Sequence, residues 1–381
     1  MKPMALTSLA VLFAAVSAAV PAAAFPVAEG WTSVRATGMG NASTAVVEDS
    51  DSLFYNPAGL AAVHGFNWTI ADPRVGATGA QGYSIYQQYQ QNNSVSSLFE
   101  SLYGQPLWIG GGGKSAVTIP GFGFSAFANS NAHFELSNPA YPTLGLDYFV
   151  DYGFVGGAAL EVVPEVLRIG AAFKRVNRTG AQMAVGAATL AQLNTTLLQN
   201  QAMNRGTGYG MDLGLQLTVP GPVRPSFGVA WKDIGGTAFS HEQGIGAPPP
   251  ILSNLTVGAA VVFAVPGLKV TPAIDYRYVD HPEIAMLMKL GMGIEIDLLI
   301  WQVRAGLNQG YYTLGAGMDF SLLRVDVSTY GVELGEYVGQ MQERRYMAQV
   351  TMELDFDLGS YLRGKSSSGD SGGRTGLKQR R

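Results

Sequence analysis

The residues able to do chemistry are few and scattered. The four histidines, His64, His133, His241 and His281, stand far apart and no His-Glu-x-x-His pair exists for a zinc protease. With no cysteine there is no thiolate nucleophile, thiolate zinc site, iron–sulfur cluster or disulfide. Gly110 to Gly113 followed by Lys114-Ser115 imitates a phosphate loop, but the first glycine that motif needs falls on Trp108. Four glycines there read as flexibility in an outer loop. Gly38-Met39-Gly40 lacks the third glycine of a dinucleotide fingerprint, because Ser43 occupies that place. No Gly-x-Ser-x-Gly elbow occurs, and nothing nominates a nucleophile. No catalytic residue, metal site or cofactor is expected, and the chain is read as a non-enzyme.

The elements that would carry such residues are of an unusual kind. Among 381 residues 47% are apolar and only 14% charged, against roughly 25% charged in soluble domains. There are 49 glycines, 17 tyrosines and 17 phenylalanines. A net charge of −4, without a basic patch in the body, excludes nucleic acid as a partner. Residues 1–24 combine Lys2, an apolar run from Ala5 to Val20 and the small-residue end Ala22-Ala23-Ala24, the pattern of a secretory signal cleaved before Phe25. No later run of 18 apolar residues follows, so helical membrane spans are not expected.

Past residue 200 apolar and polar residues alternate with the period of a two-faced sheet. Tyr346, Ala348, Val350, Met352, Leu354 and Phe356 share one face, while Arg345, Gln349, Thr351, Glu353 and Asp355 share the other. Ordinary strands run five or six residues, whereas a tilted strand needs about 9–11 to cross a bilayer. Several segments reach that length. Aromatic residues near strand ends (Trp231, Tyr276, Tyr278, Trp301, Tyr311, Tyr312, Tyr346, Phe356) suit interfacial girdles. In hydrocarbon every backbone N–H and C=O must be paired, which strands achieve only in a closed barrel. A large periplasmic β-sandwich shares the alternation, but not the strand length, the aromatic strand ends and a secreted chain without cysteines together.

The count is 14 strands, near 66–71, 115–128, 131–137, 148–163, 166–177, 207–219, 223–232, 252–264, 268–278, 284–297, 299–309, 311–319, 321–331 and 345–358. Short connections at 128–132, 164–165, 220–222, 266–267, 298–300 and 321–322 alternate mostly with longer ones at 72–114, 138–147, 178–206, 233–251 and 332–344. Short periplasmic turns and longer outer loops put both termini in the periplasm. The charges Arg168, Lys174, Lys269, Asp275, Arg277, Lys289, Glu295, Arg304, Arg324, Asp326 and Glu353 then point inward, since an Arg facing lipid at the midplane costs about 2–4 kcal/mol. With mixed sign they are suited to hold a plug and neutralise one another.

Before the first strand lies a compact stretch rich in small residues, Arg35 to Asp49, then Leu53-Phe54-Tyr55-Asn56-Pro57-Ala58-Gly59-Leu60. Asn56-Pro57 reads as an N-cap with proline at the first helical position. This segment suits a lumenal plug or a periplasmic arm. Its Gly-Met-Gly stretch, acidic stretch and Tyr-Asn-Pro-Ala-Gly motif resemble the start of the long-chain fatty acid transporter family, the FadL/TodX superfamily. The stretches 304–310 and 333–346 resemble its PorV-like branch of type IX secretion accessories. The resemblance implies an all-β, 14-stranded transmembrane antiparallel barrel with an N-terminal hatch inside the lumen, in the bacterial outer membrane after export. It implies passive uptake of a hydrophobic small molecule such as a long-chain fatty acid or hydrocarbon. The alternative is an accessory or shuttle barrel with a secreted or periplasmic protein partner. Asn56, Pro57, Ala58 and Gly59 carry over as hatch residues.

The expected organisation is signal 1–24, hatch 25–65, barrel 66–358 and a basic Ser/Gly-rich tail 359–381. Outer-membrane lipid and lipopolysaccharide are the expected surroundings. Leu98, Phe99, Leu102 and Tyr103, and Leu193 and Leu197, fall at helical spacing in long outer loops, and are the candidate capture residues for substrate.

Overall fold

The computed structural model describes residues 30–79, 87, 106–137, 143–186, 203–320 and 322–356. The expected signal, tail and capture residues lie outside them. The described strands are β1 (Phe66–Ala71), β2 (Arg74–Thr78), β3 (Leu107–Ile119), β4 (Phe122–Ser137), β5 (Thr143–Val163), β6 (Leu167–Gly186), β7 (Asn204–Thr218) and β8 (Val223–Lys232). They continue as β9 (Asn254–Val265), β10 (Leu268–Tyr276), β11 (Leu290–Leu298), β12 (Trp301–Asn308), β13 (Tyr311–Asp319), β14 (Leu323–Glu333) and β15 (Gln342–Phe356).

Each strand from β3 onward pairs antiparallel with the next in sequence, so the chain winds as a meander. Both β1 and β2 lie between β15 and β3, and form one stave interrupted at Asp72-Pro73. Proline has no N–H for the ladder, which accounts for the break. The fold is therefore a closed transmembrane barrel of 14 staves. Closure leaves no open sheet edge, as a lipid environment demands.

The facing follows the alternation. Phe124, Phe154, Phe173, Met211, Val303, Leu314 and Val350 are exposed on the outside, while Gln216, Glu295, Arg304, Asp326 and Gln349 are buried inside. Among the expected girdle residues Trp231, Trp301, Tyr312 and Phe356 are exposed at strand ends, and Tyr346 is exposed four residues into β15. Residues 120–121, 164–166, 219–222 and 266–267 make short connections at the end where β1 begins and β15 finishes. Wall height is uneven: β5 has 21 residues and β6 has 20, whereas β11, β12 and β13 have 9, 8 and 9. The long strands carry the wall beyond the 9–11 residues a bilayer requires.

Three expectations on the early strands are corrected. The turn placed at 128–132 is the middle of β4, and the real hairpin is at Pro120-Gly121. Asn129 and Asn131 look like turn residues, but face inward and accept from Arg74 and Trp108. Gly110 to Gly113 lie in β3, not in an outer loop. A Cβ on Gly110 would lie 2.2 Å from the Trp108 ring, and one on Gly112 would lie 2.4 Å from the Ala128 carbonyl oxygen. The glycines make room for an indole laid flat on the wall. The connection placed at 72–114 likewise contains β2 and the start of β3.

Candidate functional site

The described residues before β1 fill the lumen. They form a short helix α1 (Val34–Gly38), a helical turn α2 (Ser52–Tyr55) and a 3₁₀ turn η1 (Pro57–Ala62). Each is too short to persist alone, so the barrel wall must hold them. Ser33 caps α1, accepting from the Ala36 N–H.

Asn56 organises the motif that the sequence singles out. Its Oδ1 accepts from the Ala58 N–H at 3.2 Å, capping η1 with Pro57 in the first turn. Its Nδ2 donates to the carbonyls of Thr44 at 2.8 Å and of Leu215 on β7 at 3.1 Å. One side chain thus ties the turn to the rest of the hatch and to the wall. Gly59 is required by closeness, since a Cβ there would stand 2.2 Å from the Val47 carbonyl oxygen.

The wall receives the hatch at inward-facing glycines. A Cβ on Gly170 of β6 would lie 2.6 Å from the Pro57 carbonyl, and on Gly214 of β7 2.1 Å from Asn56 Oδ1. On Gly228 of β8 it would lie 2.5 Å from the Thr44 carbonyl oxygen, and on Gly293 of β11 2.4 Å from that of Met39. Gly38 and Gly315 of β13 meet Cα to Cα in the same manner. Glycine here allows backbone against backbone, where any side chain would hold the hatch off the wall.

Charge reinforces this packing. Arg35 donates to both oxygens of Glu295 on β11, at 2.9 and 2.7 Å. Arg304 on β12 donates to Glu295 at 2.6 Å and to Asp326 on β14 at 2.7 Å, and Arg324 also reaches Asp326. A chain Arg35–Glu295–Arg304–Asp326–Arg324 thus alternates in sign across the lumen. Asp275 on β10 accepts the N–H groups of Ser43 and Thr44 and the Thr44 hydroxyl with one oxygen. Lys114 on β3 pairs with Asp51, the N-cap residue of α2. Gln349 on β15 accepts the Val34 N–H and donates to Asp72 at the broken stave, joining hatch, seam and wall. Of the inward charges, Asp275, Glu295 and Arg168 hold the plug directly, and Glu295, Arg304, Asp326 and Arg324 neutralise one another. The cleft inside the hatch, lined by Ser33, Arg35, Met39, Asp51 and Tyr55 among others, is water-sized.

A second inward fold lies toward the other end of the strands. Residues 233–253 fold onto the inner face of β7, with bridges Arg205 to Gln243 and Gly208 to Phe239. Arg178 of β6 fixes them: it donates to Asp151 with two nitrogens at 2.7 Å, donates to the Pro249 carbonyl at 2.8 Å, and lies between the rings of Phe149 and Phe239. Sequence reasoning missed this latch and the wall glycines. The signal for the glycines was their recurrence at inward positions of alternating strands.

Asn56, Pro57, Ala58 and Gly59 are thus brought together against β6 and β7, whereas Leu98, Phe99, Leu102, Tyr103, Leu193 and Leu197 lie outside the described residues.

No protein-family model matches the chain, and no curated protein matches it. Among solved structures it is similar to the Ralstonia pickettii toluene transporter TbuX, at 13% identity and TM-score 0.50, over 86% of this chain and 99% of that one. It is similar also to the Pseudomonas putida toluene transporter TodX, at 12% identity and TM-score 0.49 over 86% and 98% of the two chains. A Pseudomonas aeruginosa FadL homologue follows at 12% identity and TM-score 0.48, over 87% and 99%. At such identity the likeness to TbuX is one of fold.

Proposed function

We propose that the chain is an outer-membrane transport protein admitting hydrophobic small molecules, of the fatty acid or hydrocarbon type, by passive uptake through its plugged barrel. The observation that carries this reading is the filled lumen. A barrel of membrane height whose bore is occupied by its own N-terminal residues is not an open porin. It suits a solute that travels by partial displacement of a plug. TbuX, whose fold the chain shares, is a toluene transporter, and this supports the solute class.

In this reading residues 1–24 direct export and are removed, 25–65 form the hatch, 66–358 the barrel, and 359–381 a basic periplasmic tail. Lipid and lipopolysaccharide surround the apolar belt. Leu98, Phe99, Leu102, Tyr103, Leu193 and Leu197 give outer loops an apolar landing surface. Asn56 to Gly59 act as the gating turn, because their contacts to Gly170 and Gly214 must loosen for η1 to move.

Gentle purification from the native membrane, native mass spectrometry and extraction of bound small molecules test the proposal. A stoichiometric fatty acid or hydrocarbon that survives detergent exchange supports uptake and names the substrate class. A bound secreted protein with no co-purified small molecule favours the accessory reading and contradicts transport.

A further inference from the structure

Above the hatch, three inward side chains stand in one row across adjacent strands. Trp108 on β3 is the register partner of His133 on β4, and His133 is the partner of Asp147 on β5. They share the lumenal face with Lys114, Asn129 and Asp151, and Trp108 belongs to the same buried cluster as Val34 of the hatch. His133 is 4% exposed and Asp147 7%, and Glu343 of β15 beside them is fully buried.

The surroundings of this row are paired off. Glu343 accepts from Arg345 at 2.6 Å and from Thr78 at 3.2 Å. Arg178 holds Asp151, and the Trp108 indole N–H donates to Asn131. Within that shell Asp147 Oδ1 and His133 Nδ1 lack a hydrogen-bond partner, and His133 Nε2 has only a long contact to Glu343 Oε1, at 3.5 Å. Buried polar atoms left unmade are costly, so their presence on two facing side chains marks a place for a missing partner atom. Register partners in an antiparallel pair have Cβ atoms about 5 Å apart, close enough for one small group to satisfy both.

We propose that His133 and Asp147 hold the hydroxyl group of a hydrophobic alcohol or phenol in the outer part of the lumen. The inference rests on the transport reading and narrows its substrate class. A hydroxyl has one donor and two acceptor lone pairs, so it donates to Asp147 Oδ1 while accepting from an imidazole N–H. A carboxylate ligand would face Asp147, Asp151 and Glu343, and an ammonium would face Arg178 and Arg345. Among the described residues no group of three His, Asp or Glu side chains is arranged for a metal ion. The apolar body of the ligand points toward the cluster of Val34, Trp108 and Met347.

The test uses the full chain in lipid nanodiscs and compares p-cresol with toluene, which differ by the hydroxyl alone, by calorimetric titration. The expected result is p-cresol binding about tenfold tighter than toluene, the scale of a hydrogen bond to a charged group. Asp147→Leu and His133→Phe should each abolish the preference for p-cresol over toluene. Equal affinities in the native chain, or a preference that survives both substitutions, overturn the proposal and leave transport standing. Binding of neither compound counts against the transport reading itself. Should either variant fail to assemble, the native preference together with Asp147→Asn decides.

Discussion

Arg35 of the hatch and Glu295 of β11 form a two-pronged ion pair in the lumen, and Arg304 donates to the same carboxylate from the neighbouring stave. Glu295 therefore has two guanidinium partners, while Arg35 is one of two ligands. Removing the carboxylate takes a partner from both cations, leaving Arg304 with Asp326 and Arg35 with Asp49 at 3.8 Å, whereas removing Arg35 leaves Glu295 paired with Arg304. Glu295→Gln should cost about 3–5 kcal/mol, the range for breaking a buried pair by deleting one partner. Arg35→Met should cost clearly less. Thermal unfolding read by electrophoretic mobility of the folded barrel checks the order, and the reverse order would contradict the geometry.

Wall glycines under the hatch should be intolerant of even one methyl group. Gly214→Ala places a Cβ 2.1 Å from Asn56 Oδ1 and Gly170→Ala places one 2.6 Å from the Pro57 carbonyl, whereas a Cβ at Gly246 meets nothing within 4 Å. Overpacking of this kind costs about 1–3 kcal/mol. Limited proteolysis should cut residues 30–63 faster in the first two variants and at the native rate in Gly246→Ala. Equal rates in all three would show that the hatch does not rest on these positions.

Asn56 makes three hydrogen bonds, two as donor and one as acceptor. Asn56→Asp keeps the acceptor that caps η1 and loses both donors. Asn56→Ala loses all three, including the side-chain donor to the Thr44 carbonyl. Destabilisation of about 1–3 kcal/mol is expected for Ala, since each unmet buried group carries its desolvation cost. Hydrogen exchange at the Ala58 amide separates the two variants: it should stay slow in Asp and become fast in Ala.

The later staves were legible because their two faces differ in chemistry: Val350 and Met352 alternate with Gln349, Thr351 and Glu353, and the structure keeps that facing. The early ones were not, because the residues that mark loops elsewhere serve other ends here. Gly110 and Gly112 clear space for Trp108 and for the neighbouring strand, and Asn129 and Asn131 serve as lumenal acceptors. Asn56-Pro57 announced its own cap, which is local. Its docking partners Gly170 and Gly214 lie more than a hundred residues away, and no local pattern links them to it. The Arg178 latch was equally hidden, since an Arg between Phe149 and Phe239 needs tertiary contact to be seen.

The loop between β10 and β11 should respond to pH. His281 contacts Glu283 Oε1 at 2.6 Å and the Ser253 carbonyl at 2.9 Å. Partial burial works against its charge, but the Glu283 and Ser253 hydrogen bonds and Asp280 outweigh it and raise the imidazole above its ordinary value. A raised folded value means that the stabilisation is complete below the unfolded pKa of about 6.5, and is lost as pH rises through the folded one. Exchange at the Leu255 amide, which donates to Asp280, should quicken beyond its intrinsic base dependence over that window. His281→Gln should remove the excess. A native profile that follows intrinsic exchange alone would contradict this.

The central claim is that the hatch closes the lumen, and steady ion conductance of the native full-length protein in planar bilayers tests it most directly. The fit of residues 30–63 against the wall glycines, with the Arg35–Glu295 pair in place, predicts insertions with no steady current at low voltage. A stable, porin-sized current from the unmodified protein would contradict it.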